Sequence, residues 1–470
     1  MTRPLLLIAL LLVALPAWAA GDGAAGLSWF HRAVSLLGLG VMVGLGWLIS
    51  VNRRGVDWRP VVWGIGLQLA FAVVVLSPAA QAYFFDVVDG GVRQLLSFAE
   101  QGADFVFQTV EPHQLVVGFG EGEQQTFIGR ISPPVKTFAF WILPTIIFFS
   151  SLMSVLYHLG WMQFVVNRLA RLMQVTMGTS GAESLSAAAN IFVGQTEAPL
   201  VIKPYVSGMT KSELHAVMTG GFATVAGGVM AAYVGFLRDI PGIAGHLVTA
   251  SILSAPAALA ISKVVFPEDG TPATSGRTEA SVKRTSQNAI EAAGRGANQG
   301  MTLALNVAAM LIAFVGLLAM VDWMLGAVPV RFCDAGLAVG YAADCAPLTL
   351  SQILGWAFTP VALAMGVPWA EAGIVGQLLG EKLVLTEFIA YIHLGELMAV
   401  EGALSERSAI IASYALCGFA NFASIGIQLG GIGGIAPERM SDLASLGVRA
   451  MLAGSLAAFM TATVAGALLG

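Results

Sequence analysis

Charge is what this chain has least of: Asp, Glu, Lys and Arg make up 11% of its 470 residues, where soluble domains carry about 25%. Hydrophobic residues reach 57% and mean hydropathy is +0.79, more apolar surface than a water-soluble core can hide, so the chain reads as an integral membrane protein. One crossing takes about 20 apolar residues, which leaves room for roughly eight to ten crossings or part-crossings. The net charge of -5 comes with no basic stripe to neutralise phosphates, which argues against a nucleic-acid partner. There is no G-x-x-x-x-G-K-[ST] for an ATP-driven cycle, and no H-E-x-x-H or G-x-S-x-G for metalloprotease or acyl-transfer chemistry. The six histidines (31, 113, 158, 215, 246, 393) lack metal-ligand spacing. Cysteine is scarce as well: Cys417 sits in an apolar span, while Cys333 and Cys345 share a short external segment where a disulfide or two free thiols both fit.

The first 20 residues have a basic start (Arg3), an apolar run from Leu5 to Leu15, and small residues after Pro16. They read as a signal peptide, with an extra helix as the alternative. A span at about Phe30 to Val51 runs into Asn52-Arg53-Arg54, which places its carboxyl end in the cytoplasm. Its Gly40 and Gly44 form a GxxxG of the helix-packing kind. Further spans fall at about Trp63 to Tyr83, Phe138 to Leu159, Ala216 to Leu237, His246 to Val265 and Met301 to Leu325. Residues 86–123 hold seven acidic residues against one Arg, as suits an external amphipathic segment, and 267–299 read as a solvated cytoplasmic connection. Arg449, in the last apolar stretch, is expected to face inward toward an acid or a carbonyl.

Two segments fail as clean spanning helices. In 183–205, Gly194 and Pro199 interrupt an apolar run that also holds Asn190, Gln195 and Glu197; in 375–393, Glu387 sits near the middle. Irregular backbone at membrane depth is tolerated only where it lines a cavity or is buried in protein. Each segment therefore reads as a re-entrant helical hairpin. Each is followed by a glycine-bearing span, 220–228 and 418–426, able to unwind and free carbonyls for a ligand. The halves share a Thr-Glu (Thr196-Glu197, Thr386-Glu387) followed by a Gly-Phe-Ala (221–223, 418–420), with Phe222 25 residues after Glu197 and Phe419 32 after Glu387. Such paired units mark the midplane site of a secondary transporter. A carboxylate in the bilayer core is costly and usually functional; the structural alternative is a salt bridge of Glu197 or Glu387 with Lys203 or Lys382.

These residues also carry a resemblance. Asn190 with Gly194-Gln195-Thr196-Glu197-Ala198-Pro199, then Glu381-Lys382 through Thr386-Glu387-Phe388, then Gly418-Phe419-Ala420-Asn421 with Ser424, resemble the two hairpins and the broken penultimate helix of the concentrative nucleoside transporters. The likeness runs from about Phe30 to the carboxyl terminus. It implies an all-α integral membrane protein of about eight transmembrane helices with two opposed hairpins in an inverted repeat, assembled as a homotrimer in the inner membrane. The resemblance further implies that the chain is not an enzyme and would import nucleosides with sodium as the coupling ion, protons being the alternative, and with no organic cofactor. Carried over position by position, Gln195, Thr196, Glu197, Val229 and Phe419 would face the base, and Glu387, Asn421 and Ser424 the ribose. Sodium would sit at the Asn190 side chain, Thr224, and the Val193 and Val225 carbonyls, an oxygen-only set suited to a hard cation. Thr386 stands where the family usually has Asn, a departure that bears on how Glu387 is held.

The implied organisation is a signal peptide (1–20), amino-terminal scaffold helices (21–165), the first hairpin and unwound helix (166–265), a cytoplasmic connection with a scaffold helix (266–365), the second hairpin and unwound helix (366–440) and a last transmembrane helix (441–470). Sodium would order the first hairpin, nucleoside would bridge both hairpins, and a transport domain would carry both inward. A membrane-embedded enzyme would instead make a new product, and a non-transporting nucleoside sensor would bind without accumulation.

Overall fold

A computed structural model describes residues 29–107, 113–117, 126–131, 138–274, 286–334 and 348–469. The signal-like residues 1–20 and the Cys333–Cys345 pairing lie outside what is described. Among the described residues the regular structure is helical apart from one antiparallel ribbon, β1 (His113–Val117) with β2 (Thr126–Ile131), whose register shifts between Leu115 and Val116.

Helix α1 (Trp29–Leu48) leads to α2 (Trp58–Val75), which starts where the Asp57 side chain accepts from the Arg59 backbone N–H. The span placed at Trp63 to Tyr83 ends early, because Ser77 precedes Pro78 and that clash drives it out of helical geometry. Helix α3 (Pro78–Phe107) then takes most of the acidic stretch into a single helix. A π-turn at Phe138–Ile142 opens α4 (Leu143–His158). Gly40 and Gly44 do not pack within the chain, since a Cβ at either would meet nothing within 4 Å.

From here the chain runs twice through one order of elements. The first series is a surface helix α5 (Trp161–Met177), a hairpin of α6 (Gly181–Asn190) with the short α7 (Ala198–Val201) and α8 (Lys203–Val206), a broken helix α9 (Lys211–Ala223) and α10 (Gly227–Phe236), and the unbroken α11 (Ile243–Val265). Helix α12 (Ala289–Asp334) separates the two series. It starts inside the stretch read as a solvated connection, because Asn288 accepts from the Glu291 N–H at 2.8 Å and caps it there. The second series is α13 (Leu350–Ala364), a hairpin of α14 (Trp369–Val384) and α15 (Glu387–Ala399), a broken helix α16 (Glu406–Leu416) and α17 (Phe422–Ile435), and α18 (Met440–Leu468).

Seven helices among the described residues are long and apolar enough to cross a membrane, α9 with α10 counting as one. The apolar helices α13 and α14 meet at a bend of 118°. The broken helix α16 with α17 is the second-series counterpart of α9 and α10, and its second half is a shorter apolar helix. Helices α9 to α11 and α18 are almost wholly buried within the chain, whereas α12 is buried over 11% of its apolar window.

Basic side chains fasten the two ends of this bundle. Arg439 donates to the Val206, Ser207 and Met209 carbonyls where the first hairpin exits, and Arg407 donates to the Gly366 and Gly466 carbonyls beside the second. Helix ends leave carbonyls without intrahelical partners, and a guanidinium supplies several donors at once. Arg449, against expectation, presents an exposed side chain.

Candidate functional site

The two broken helices cross at their breaks. Helix α9 stops at Ala223, and Thr224 (φ -122°, ψ 166°) is extended before α10 resumes at Gly227. Helix α16 stops at Leu416, and the chain passes through Gly418 at φ 143° before Asn421 caps α17, its side chain accepting from Ser424 N at 2.9 Å. Gly418 lies against α9: a Cβ there would stand 2.6 Å from the Phe222 carbonyl oxygen. Only glycine meets both the left-handed conformation and that approach.

Each hairpin tip is laid onto this crossing. In the first, the Gly227 N–H donates to the Phe192 carbonyl at 3.1 Å, joining tip to break. Gln195 is buried, and its Oε1 accepts from Gln428 Nε2 at 3.0 Å; the same Nε2 donates to the Met218 carbonyl at 3.1 Å. A backbone carbonyl accepts only, so it fixes which end of the Gln428 amide faces Gln195 and leaves the Gln195 NH2 to donate elsewhere. Gly221 makes room for this pair, since a Cβ there would stand 2.8 Å from Gln428 Nε2 and 2.9 Å from Gln195 Cβ. Thr196 packs on Gly431 of α17. Glu197 is exposed, its carboxylate folded back over Gly194.

In the second hairpin, Glu387 opens α15 and is 3% exposed. Its Oε1 accepts from the Tyr233 hydroxyl at 2.9 Å and its Oε2 from Asn421 Nδ2 at 2.8 Å. Tyr233 belongs to α10 and Asn421 to α17, so one carboxylate joins a hairpin to both broken helices. Tyr233 stacks on Tyr391 with ring centroids 4.2 Å apart, which sets the direction of its hydroxyl. Ser424 is buried beside Asn421. Val229 is buried, and the half-buried Phe419 packs against the same apolar cluster.

Of the residues assigned to a cation, Asn190 and Thr224 both lie beside Gly220 of α9. Asn190, the last residue of α6, is fully buried; its Nδ2 donates to the Ser186 carbonyl at 3.1 Å, while its Oδ1 has no hydrogen-bond partner. It faces α9, where a Cβ on Gly220 would stand 3.5 Å from Asn190 Nδ2. Thr224 is buried and donates its hydroxyl to the Gly220 carbonyl at 2.9 Å, which leaves its oxygen lone pairs free to accept. Val225 is buried and Val193 half-buried. A buried oxygen left unpaired costs about 1–3 kcal/mol, a cost that a bound cation removes. Among the described residues no group of three or more His, Cys, Asp or Glu forms a metal site, so hard oxygens are the ligands on offer.

The structure thus brings the sequence-assigned residues onto three neighbouring elements in each series. The salt bridges weighed as the structural alternative do not form among the described residues: Lys203 is exposed, and Lys382 donates to the Ala415 carbonyl at 2.8 Å. Two site residues escaped sequence reasoning, Tyr233 and Gln428. Helical spacing carried a signal for both, because Tyr233 follows Val229 by one turn, and Gln428 shares a face with Asn421 and Ser424.

Comparison with known proteins agrees with this architecture. Three family descriptions match: "Na+ dependent nucleoside transporter N-terminus" over residues 37–110, "Nucleoside recognition" over 139–239, and "Na+ dependent nucleoside transporter C-terminus" over 246–466. An uncharacterized transporter of Haemophilus influenzae is 42% identical over 443 residues, 93% of this chain and 97% of that one. Sodium/nucleoside cotransporter 1 of Mus musculus is 41% identical over 93% of this chain, and solute carrier family 28 member 3 of Rattus norvegicus is 40% identical over the same share. The chain spans 64% and 59% of the length of those two relatives. Among solved structures, CNTnw in an inward-facing substrate-bound state superposes with a TM-score of 0.79 at 39% identity, covering 93% of this chain and 99% of that one. A CNTnw double variant in an outward-facing state superposes with a TM-score of 0.80 at 39% identity, covering 93% and 98%. Paired hairpins, paired broken helices and matches that run almost end to end lead to one conclusion: this chain belongs to the concentrative nucleoside transporter family.

Proposed function

We propose that the protein is a secondary active symporter that imports nucleosides across the cytoplasmic membrane, coupled to sodium. The observation that carries the sodium reading is the buried, unpaired Oδ1 of Asn190, set between the first hairpin and the break of α9. Sodium there would be held by Asn190, Thr224 and the Val193 and Val225 carbonyls, at the carboxyl end of a half-helix where the backbone dipole favours a cation.

The nucleoside lies between the tips. Gln195, Thr196 and Glu197 meet the base, Val229 and Phe419 pack on it, and Glu387 with Asn421 and Ser424 takes the ribose hydroxyls, which both donate and accept. Coupling follows from shared structure, because Asn190 and Gln195 end and tip the same hairpin: a cation that orders that hairpin lowers the ordering cost for the nucleoside, and the reverse holds equally. Alternating access moves hairpins and broken helices together past the rest; the inward- and outward-facing states named for CNTnw support this cycle. Assembly as a homotrimer, residence in an inner membrane and cleavage of residues 1–20 belong to the same reading.

Radiolabelled uridine uptake into proteoliposomes, driven by an inward sodium gradient, an inward proton gradient or neither, tests it. Accumulation with sodium alone is expected. Accumulation driven by protons alone would overturn the ion assignment and leave Asn190 and Thr224 structural, and conversion of uridine to a new product would overturn transport itself.

A further inference from the structure

The repeated order of elements makes the two halves comparable position by position, and at one position they differ in kind. In the first series the hairpin arm α6 ends on Asn190, beside the last turn of α9. In the second series the hairpin arm α14 carries Lys382 in its last turn, beside the end of α16. Each side chain comes from the same arm of its hairpin and reaches the carboxyl end of the first half of its broken helix. There the last carbonyls lack intrahelical partners and the dipole is negative, the arrangement that draws cations to broken helices.

Occupancy is what differs. Lys382 is 1% exposed, and its Nζ donates to the Ala415 carbonyl one residue before α16 ends. The Tyr391 hydroxyl takes the Ser413 carbonyl at 2.7 Å, and the face of Phe459 lies 5.8 Å from the Lys382 nitrogen. The end of α16 is therefore closed by a covalently attached cation and a phenol. At the end of α9 no Lys or Arg side chain bonds among the described residues, and the Asn190 oxygen points into the protein unpaired. An ammonium and a sodium ion carry the same charge, and the Ala415 carbonyl already accepts from the Lys382 ammonium.

We propose that Lys382 is the built-in cation of the second half: its ammonium takes at α16 the place that exchangeable sodium takes at α9, so the protein carries one sodium per nucleoside. This rests on the sodium site proposed at Asn190 and deepens it, assigning the asymmetry of the repeat to one residue. It also explains why Lys382 makes no ion pair with Glu387. Its task is to hold the α16 end closed, which leaves the Glu387 oxygens to Tyr233 and Asn421.

The test has two parts. In proteoliposomes holding the wild-type protein, the sodium-to-uridine ratio is read from the membrane potential that nulls net uridine flux at fixed gradients; a ratio of one is expected, and a ratio of two overturns the proposal. In Lys382→Asn, which removes the ammonium and leaves an oxygen ligand like that of Asn190, the sodium dependence of uridine uptake should steepen, its Hill coefficient rising from about 1 toward 2 with a higher half-saturating sodium. Uptake by that variant with an unchanged coefficient and half-saturation overturns the proposal. If the variant does not fold or transport, the wild-type ratio still decides. Wild-type uptake indifferent to sodium would instead defeat the Asn190 reading, an outcome distinct from a sodium-driven ratio of two.

Discussion

Removing one oxygen, in Tyr233→Phe, tests whether Glu387 is a held ligand or an ordinary buried acid. The ring that stacks on Tyr391 at 4.2 Å and packs against Phe388 at 5.0 Å is retained, so packing changes little. The hydroxyl that donates to Glu387 Oε1 at 2.9 Å is lost, in a site where Tyr233 is fully buried and Glu387 3% exposed. A hydrogen bond to a charged group contributes about 1.5–3 kcal/mol, and water cannot replace this donor without opening the core. At about 1.4 kcal/mol per tenfold change, a carboxylate that must find another donor, or swing away from the ribose, should weaken nucleoside binding by about 10- to 150-fold. The assay is uridine KM in proteoliposomes at saturating sodium, with Kd in detergent as a check that the change lies in binding. A folded variant whose KM and Kd stay within twofold of the parent would refute the placement of Tyr233 as the support of Glu387.

Three further substitutions probe other parts of the account. Glu387→Gln presents one acceptor oxygen to two donors, Tyr233 and Asn421, leaving one unpaired at about 1–3 kcal/mol and removing the charge; uridine uptake should vanish while folded protein persists in size-exclusion chromatography, and uptake above a tenth of the parent would contradict it. Gly418→Ala forces a Cβ into the left-handed region 2.6 Å from the Phe222 oxygen, a strain of about 1–3 kcal/mol before the clash is counted; the thermal unfolding midpoint in detergent should fall, and an unchanged midpoint would show that the breaks are not in contact. Lys263→Met leaves the 1% exposed Glu183 without the ammonium 2.8 Å away, at about 3–5 kcal/mol. Its midpoint should drop, and adding Glu183→Gln should recover part of the loss; no recovery would mean the pair is not the source.

Most of the fold was legible because membranes impose simple rules on sequence. Gly194 within an apolar run, and Gly418 ahead of Asn421, interrupt helices that lipid would otherwise demand be continuous, and both lie where the structure breaks, whereas Pro199 falls in the first turn of the short helix that follows. Glu197, Glu387 and Asn190 stood out because polar groups at membrane depth need a reason. What stayed hidden depends on partners far along the chain. Tyr233 reads as one more aromatic in an apolar helix until the fold sets it against Glu387, 154 residues away. Gln428 likewise gains meaning only from Gln195, 233 residues away. Lys382 invited an ion-pair reading because charge pairs are the local rule; its actual partner, a carbonyl at a helix end, is a backbone group that no side-chain pattern announces. The helical start of α12 was missed for the opposite reason, since residues 289–299 are polar enough to look like a loop while Asn288 caps them into a helix.

The claim at the centre is that sodium at Asn190 and nucleoside at Glu387 bind through one shared hairpin. Its most direct test is calorimetric titration of uridine into the purified protein at several sodium concentrations, ionic strength held with choline, for the parent and for Asn190→Ala. The account predicts that Kd for the parent falls as sodium rises, and that this dependence is lost or moved to much higher sodium in the variant. A parent Kd indifferent to sodium, or a variant that keeps the parent's sodium dependence, would contradict it.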